Sequence, residues 1–60
     1  MPAPERFAVV RKILDDKGYV LARISGSHHI FTKAGQPHLS IPVHGGKVKA
    51  HYVRQAKKAQ

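Results

Sequence analysis

Glycine interrupts this chain so often that no stretch between two breaks can hold more than one helix or strand. The breaks fall at Gly18, Gly26, Gly35 and the pair Gly45-Gly46. Before the first, Phe7, Val10, Ile13 and Leu14 recur at steps of three and four. That spacing makes one apolar stripe on a helix. It predicts a helix from about Pro4 to Lys17. Pro4 would take a first helical position and Glu5 would complement the dipole in the first turn. Gly18 would end the helix.

Tyr19 to Ile24 and His28 to Lys33 are rich in branched and aromatic residues and flank Ser25-Gly26-Ser27, which reads as a hairpin. Ala34-Gly35-Gln36-Pro37 is a second turn signal. Leu39, Ile41 and Val43 then alternate with His38, Ser40 and Pro42, the pattern of a half-buried strand. Pro42 cannot donate to a ladder, which places this strand at an edge. Past the glycine pair, Val48, Tyr52, Ala56 and Ala59 return to helical spacing, with Val53 beside them.

The predicted class is α+β, in the order α-β-β-β-α. Short turns imply a three-stranded antiparallel meander. Both helices must cover one face of it, because neither has another apolar surface to bury against. With 60 residues and no cysteine, the expectation is one domain, residues 1–60, with a thin core and no disulfide. The longest apolar runs, Phe7 to Val10 and Tyr19 to Ala22, fall far below the roughly 20 residues of a membrane span. No apolar signal region follows Met1, so the expected location is the cytoplasm. An enzyme that closes two domains over a small molecule is excluded by size. A minimal enzyme or a binding module remains.

Charge narrows the partner. Eleven Lys and Arg stand against three Asp and Glu, a formal net charge of +8. The acids are Glu5, Asp15 and Asp16; from Lys17 to Gln60 every formally charged side chain is positive. A one-signed field of this kind attracts polyanions and raises their encounter rate. Nucleic acid is the commonest polyanion for a small basic domain. An acidic protein fits the same field. No apolar helix face bordered by lysines argues for a membrane.

The sharpest chemical signal is Gly26-Ser27-His28-His29. Consecutive strand residues point to opposite faces, so His28 goes with Ile30 and His29 with Phe31. Phe31 offers more apolar area than Ile30. If Phe31 takes the core, His29 lies on the covered face and His28 faces water. If Ile30 does, the two histidines exchange roles; the larger area favours the first arrangement. An exposed imidazole changes charge near neutral pH and can act as a general base or acid. Ribonucleotide cleavage needs such a group. One residue takes the proton of the 2′-hydroxyl, another protonates the leaving 5′-oxygen, and cations stabilise the phosphoryl oxygens. A plain surface histidine is the competing reading.

The five histidines also invite a metal reading, but the spacing argues against it. His28 and His29 diverge, His44 to His51 is too wide for one helical turn, and the three acids sit at the far end of the first helix. On the second helix, Lys47, His51, Arg54 and Lys58 fall at steps of four, three and four, a basic stripe suited to phosphate. Lys47 follows the glycine pair, and His44 lies close to the start of this helix.

The stretch Gly26-Ser27-His28-His29-Ile30-Phe31, with Gly18-Tyr19 before it, resembles the signature of the HicA toxins of bacterial HicA–HicB toxin–antitoxin systems. Ile41-Pro42-Val43-His44 and the Lys47 to Val53-Arg54 pattern resemble the family's third strand and second helix. The resemblance implies a fold similar to the double-stranded-RNA-binding domain. It implies an mRNA interferase, a ribonuclease needing no cofactor that cuts messenger RNA and blocks translation. The family's catalytic histidine, directly after Gly-Ser, maps to His28. The implied partner is a HicB-type antitoxin that covers the toxin's active site and, as a complex, binds operator DNA.

On this reading Gly26 permits a tight turn and close approach of phosphate, and Ser27 donates a hydrogen bond. His29 also falls among the RNA contacts, with Lys33, Lys47 and Arg54 as phosphate-binding candidates. His29 or His44 would supply the second proton transfer. A non-catalytic RNA-binding module of the same fold is the alternative, and a domain that meets only an acidic protein is a third.

Overall fold

The computed structural model describes residues 3–60. Its elements are β1 (Glu5–Arg6), α1 (Phe7–Asp16), β2 (Val20–Ser25), β3 (His28–Thr32), β4 (Leu39–Pro42), β5 (Lys47–Val48) and α2 (Ala50–Lys58). The predicted α+β class and α-β-β-β-α order hold, with two helices and the antiparallel meander β2-β3-β4. β4 is an edge strand, as Pro42 required.

Two short strands were not foreseen. Glu5 and Arg6 pair antiparallel with Val48 and Lys47, and the Phe7 amide donates to the Gly46 carbonyl at 2.9 Å. The first helix therefore begins at Phe7 rather than near Pro4, and its first turn holds no acid. Extended backbone at Glu5 and Arg6 finds partners in β5 that a helical start would leave unmade. Val48 is corrected for the same reason. It belongs to β5, fully buried, and not to the apolar stripe of α2, which starts at Ala50. Through this pairing the chain clamps the entry of α1 to the entry of α2.

The end of α1 follows from Gly18. The Gly18 amide bonds the Asp15 carbonyl at 3.0 Å and the Tyr19 amide reaches back to the Leu14 carbonyl at 3.0 Å. This is a Schellman closure, and its accompanying apolar contact is Tyr19 with Leu14, both in the core. The core gathers Val10 and Leu14 from α1, Val53 and Ala56 from α2, and Phe31, Leu39 and Ile41 from the sheet. Both helices thus cover one sheet face, leaving His28 and Ser40 exposed on the other.

A β-bulge between Leu21 and Arg23 shifts the register of β2. Beyond it Ile24 pairs with His29 and Ser25 with His28. The C-terminal end of α2 is held by two lysines from elsewhere in the chain. The Lys17 ammonium donates to the Lys57 and Ala59 carbonyls at 2.5 and 2.6 Å, a cation placed where the helix dipole is negative. The Lys33 ammonium donates to the Gln60 carbonyl at 2.9 Å and lies 5.6 Å from the Tyr19 ring centre. Among the described residues no helix is long and apolar enough to cross a membrane.

Candidate active-site cleft

Two tight turns deliver the histidines. Gly26 and Ser27 form the two-residue loop between β2 and β3, with Gly26 at φ +59° and Ser27 at negative φ. A positive φ at the first loop position alone is the type II′ pattern, which suits the twist of a hairpin and favours glycine there. The Ser27 carbonyl is held from the far side by the Val43 amide at 2.7 Å. His28 therefore leaves the turn in a fixed position at the head of β3. The second turn is His44-Gly45-Gly46-Lys47. His44 and Lys47 exchange both backbone hydrogen bonds at 3.0 Å, and both glycines have positive φ, the type I′ arrangement. It folds His44 back beside the start of α2.

Together these elements enclose a cleft of about 320 Å3 lined by Ser27, His28, Pro42, His44, Lys49 and His51, with Tyr52 completing it. Three of the five histidines share it. No carboxylate lines it, and Asp15 and Asp16 are engaged on α1 by Arg11 at 3.9 Å and Lys12 at 3.0 Å. An imidazole-rich cleft with an ammonium beside it is suited to an anionic, proton-transferring substrate. Among the described residues no three His, Cys, Asp or Glu side chains gather as a metal-ligand set.

His28 is exposed, and its Nδ1 lies 3.0 Å from Ser40 Oγ on the neighbouring strand. That bond fixes the plane of the ring and leaves Nε2 for a substrate. His29 is half-buried. Its ring packs on Phe7 with centres 4.5 Å apart, and its Nδ1 lies 3.4 Å from the Ser27 carbonyl. Phe31 behind it is fully buried. Of the two arrangements open from strand alternation, the structure has His28 outward and His29 covered.

The remaining sequence candidates divide. Ser27 lines the cleft and Gly26 shapes the turn beside it. His29 does not line it, so of the two histidines considered for a second proton transfer only His44 lies in the cleft lining. His51, expected merely as part of a basic stripe, is a third imidazole there, its ring 3.9 Å from that of Tyr52. Lys33 lies outside the cleft, at the end of α2. Lys47 is paired in β5, and Lys49, at the N-terminal boundary of α2, lines the cleft instead. Arg54 lies three residues beyond His51 and lines an adjoining groove with Lys58.

Sequence reasoning missed Ser40 and Lys49 as site residues. Ser40 was within reach, because alternation of β4 already put it on the solvent face of the strand beside His28. Lys49 carried no signal, since only the actual start of α2 decides which lysine meets the cleft.

No curated protein and no solved structure matches this chain. A family model described as the HicA toxin of bacterial toxin-antitoxin matches residues 8–59, which takes in the cleft, both turns, α2 and all of α1 but its first residue. The chain belongs to the HicA toxins, the toxin half of a bacterial toxin–antitoxin system whose partner is a HicB-type antitoxin.

Proposed function

We propose that this toxin is an endoribonuclease that cuts messenger RNA by acid–base catalysis without a metal, and that His28 is its catalytic histidine. The observation that carries the reading is the cleft itself. It holds an exposed imidazole, oriented through Nδ1 by Ser40, facing two further histidines and a lysine with no carboxylate between them.

The chemistry follows from the groups present. The Nε2 of His28 takes the 2′-hydroxyl proton or delivers one to the leaving 5′-oxygen. The complementary transfer falls to His44 or His51 across the same cleft. Lys49 and the protonated imidazole stabilise charge on the phosphoryl oxygens. The hydroxyl of Ser27 donates to a phosphate oxygen, and Gly26 carries no side chain to keep the RNA away. Lys47, Arg54 and Lys33 extend the positive surface on which the strand travels. The antitoxin silences the enzyme by covering the cleft, and the complex rather than the free toxin meets operator DNA. The site of action is the cytoplasm, where messenger RNA is translated.

The test is cleavage of messenger RNA by purified protein with EDTA present. Activity persists in EDTA, and His28→Ala lowers the rate about 100-fold or more. Of His44→Ala and His51→Ala, the one that removes a limb of a bell-shaped rate–pH profile identifies the second group. Full cleavage by His28→Ala refutes the assignment, and RNA binding without cleavage by the unmodified protein refutes the enzyme.

A further inference from the structure

A second, larger groove adjoins the cleft. It measures about 490 Å3, within the roughly 300–1,000 Å3 typical of small-molecule sites. His51 lines both hollows, so the two are neighbours on either side of one residue. The groove has a different character from the cleft. Tyr19, Pro37, Leu39 and Ala59 give it an apolar floor. Arg54 and Lys58, both exposed on α2, add two cations. Three glutamines complete the lining, Gln36 from the turn before β4, Gln55 from α2 and Gln60 just past its end. No Asp or Glu side chain is among the lining.

We propose that this groove is a nucleobase subsite, which seats one nucleotide flanking the scissile phosphate and sets a base preference for cutting. The inference rests on the ribonuclease reading and adds to it a site that the chemistry of cleavage does not require. Each part of a nucleotide finds a complement. The flat base lies against the apolar floor, where sequence-tolerant contact supplies affinity. A carboxamide presents a donor and an acceptor together, the pattern that pairs with a base edge and distinguishes one base from another. Arg54 and Lys58 meet the phosphate. Because His51 lines both hollows, a nucleotide seated here neighbours the cleft rather than lying at a distance from it. His51, Arg54 and Lys58 of the basic stripe border this groove while remaining exposed.

The experiment has two arms on the full chain. In the first, isotope-labelled protein is titrated with each of the four nucleoside 5′-monophosphates and with inorganic phosphate, and the Gln36 and Gln55 side-chain amide signals are followed. One base moves them at an affinity at least five-fold above the weakest, and in Gln36→Ala/Gln55→Ala the four nucleotides come within two-fold of one another. In the second, cut sites in random-sequence RNA are mapped. The unmodified protein enriches that same base beside the cut, and the double variant flattens the enrichment while its amide spectrum stays dispersed.

Equal response to all four nucleotides, or a response to phosphate as strong as to any nucleotide, overturns the subsite. So does movement of the groove signals with the antitoxin but with no nucleotide, which assigns the groove to the protein partner. Base-selective binding in a protein that does not cut RNA keeps the subsite and removes the ribonuclease reading. Cutting with no base preference and silent groove signals does the reverse.

Discussion

His28 and His29 are neighbours in the chain and opposites in the molecule. The first stands in water, its ring fixed by Ser40 at 3.0 Å, at the mouth of a histidine-lined cleft. The second is half-buried against Phe7 on the face that both helices cover. Residue type is identical, so the difference comes entirely from strand alternation and from which neighbour, Phe31 or Ile30, takes the core. One imidazole is open to water in the cleft; the other packs against Phe7. A chemical motif in a strand is thus only half defined until its face is known.

The contrast between faces can be broken most severely at Phe31. Phe31→Ala removes a fully buried ring and should cost about 3–5 kcal/mol. A domain of this size has a total stability of that order, so its urea or thermal unfolding transition is largely lost. Ile30→Ala, one residue away on the other face, should cost about 1 kcal/mol in the same melt. Equal losses at the two positions would remove the distinction between faces.

His29→Ala comes next. It deletes the contact with Phe7 and should lower stability by about 1–2 kcal/mol, while cleavage per folded molecule changes only a few-fold. Ser40→Ala is smaller in stability and larger in chemistry. Loss of one oriented hydrogen bond is worth about 1 kcal/mol, or a roughly three- to ten-fold lower kcat with an unchanged melting temperature. Ser40→Thr, which keeps the hydroxyl, should restore most of the rate. The smallest effect belongs to Lys17→Ala. It removes the cation from the end of α2 and should cost about 0.5 kcal/mol, measurable as a small shift in melting temperature.

Much of the architecture was legible because it rests on short-range rules. The stripe Phe7, Val10, Ile13 and Leu14 could only be a helix face, and the alternation of Leu39, Ile41 and Val43 could only be a strand. Gly18 marked its helix end through a local backbone requirement. The same rules misplaced Pro4, Glu5 and Val48, because the pairing of β1 with β5 joins segments more than forty residues apart and leaves no periodicity in either. Two residues are too few to show alternation.

Legibility of the site divides along the same line. His28 was identified by strand alternation together with the resemblance to the HicA toxins. That the cleft also draws in His44, Lys49 and His51 depends on how the glycine turn folds against α2, a tertiary fact. Lys33 shows the same dependence on tertiary structure. Its charge pointed to phosphate, and its ammonium lies on the Gln60 carbonyl beside Tyr19, outside the cleft.

The most direct measurement is the RNA cleavage rate of His28→Ala beside that of His29→Ala, in EDTA, each normalised to its folded fraction. The account predicts a loss of about 100-fold or more for the first and only a few-fold for the second. Equal rates for the two variants, or a larger loss at His29, would contradict it.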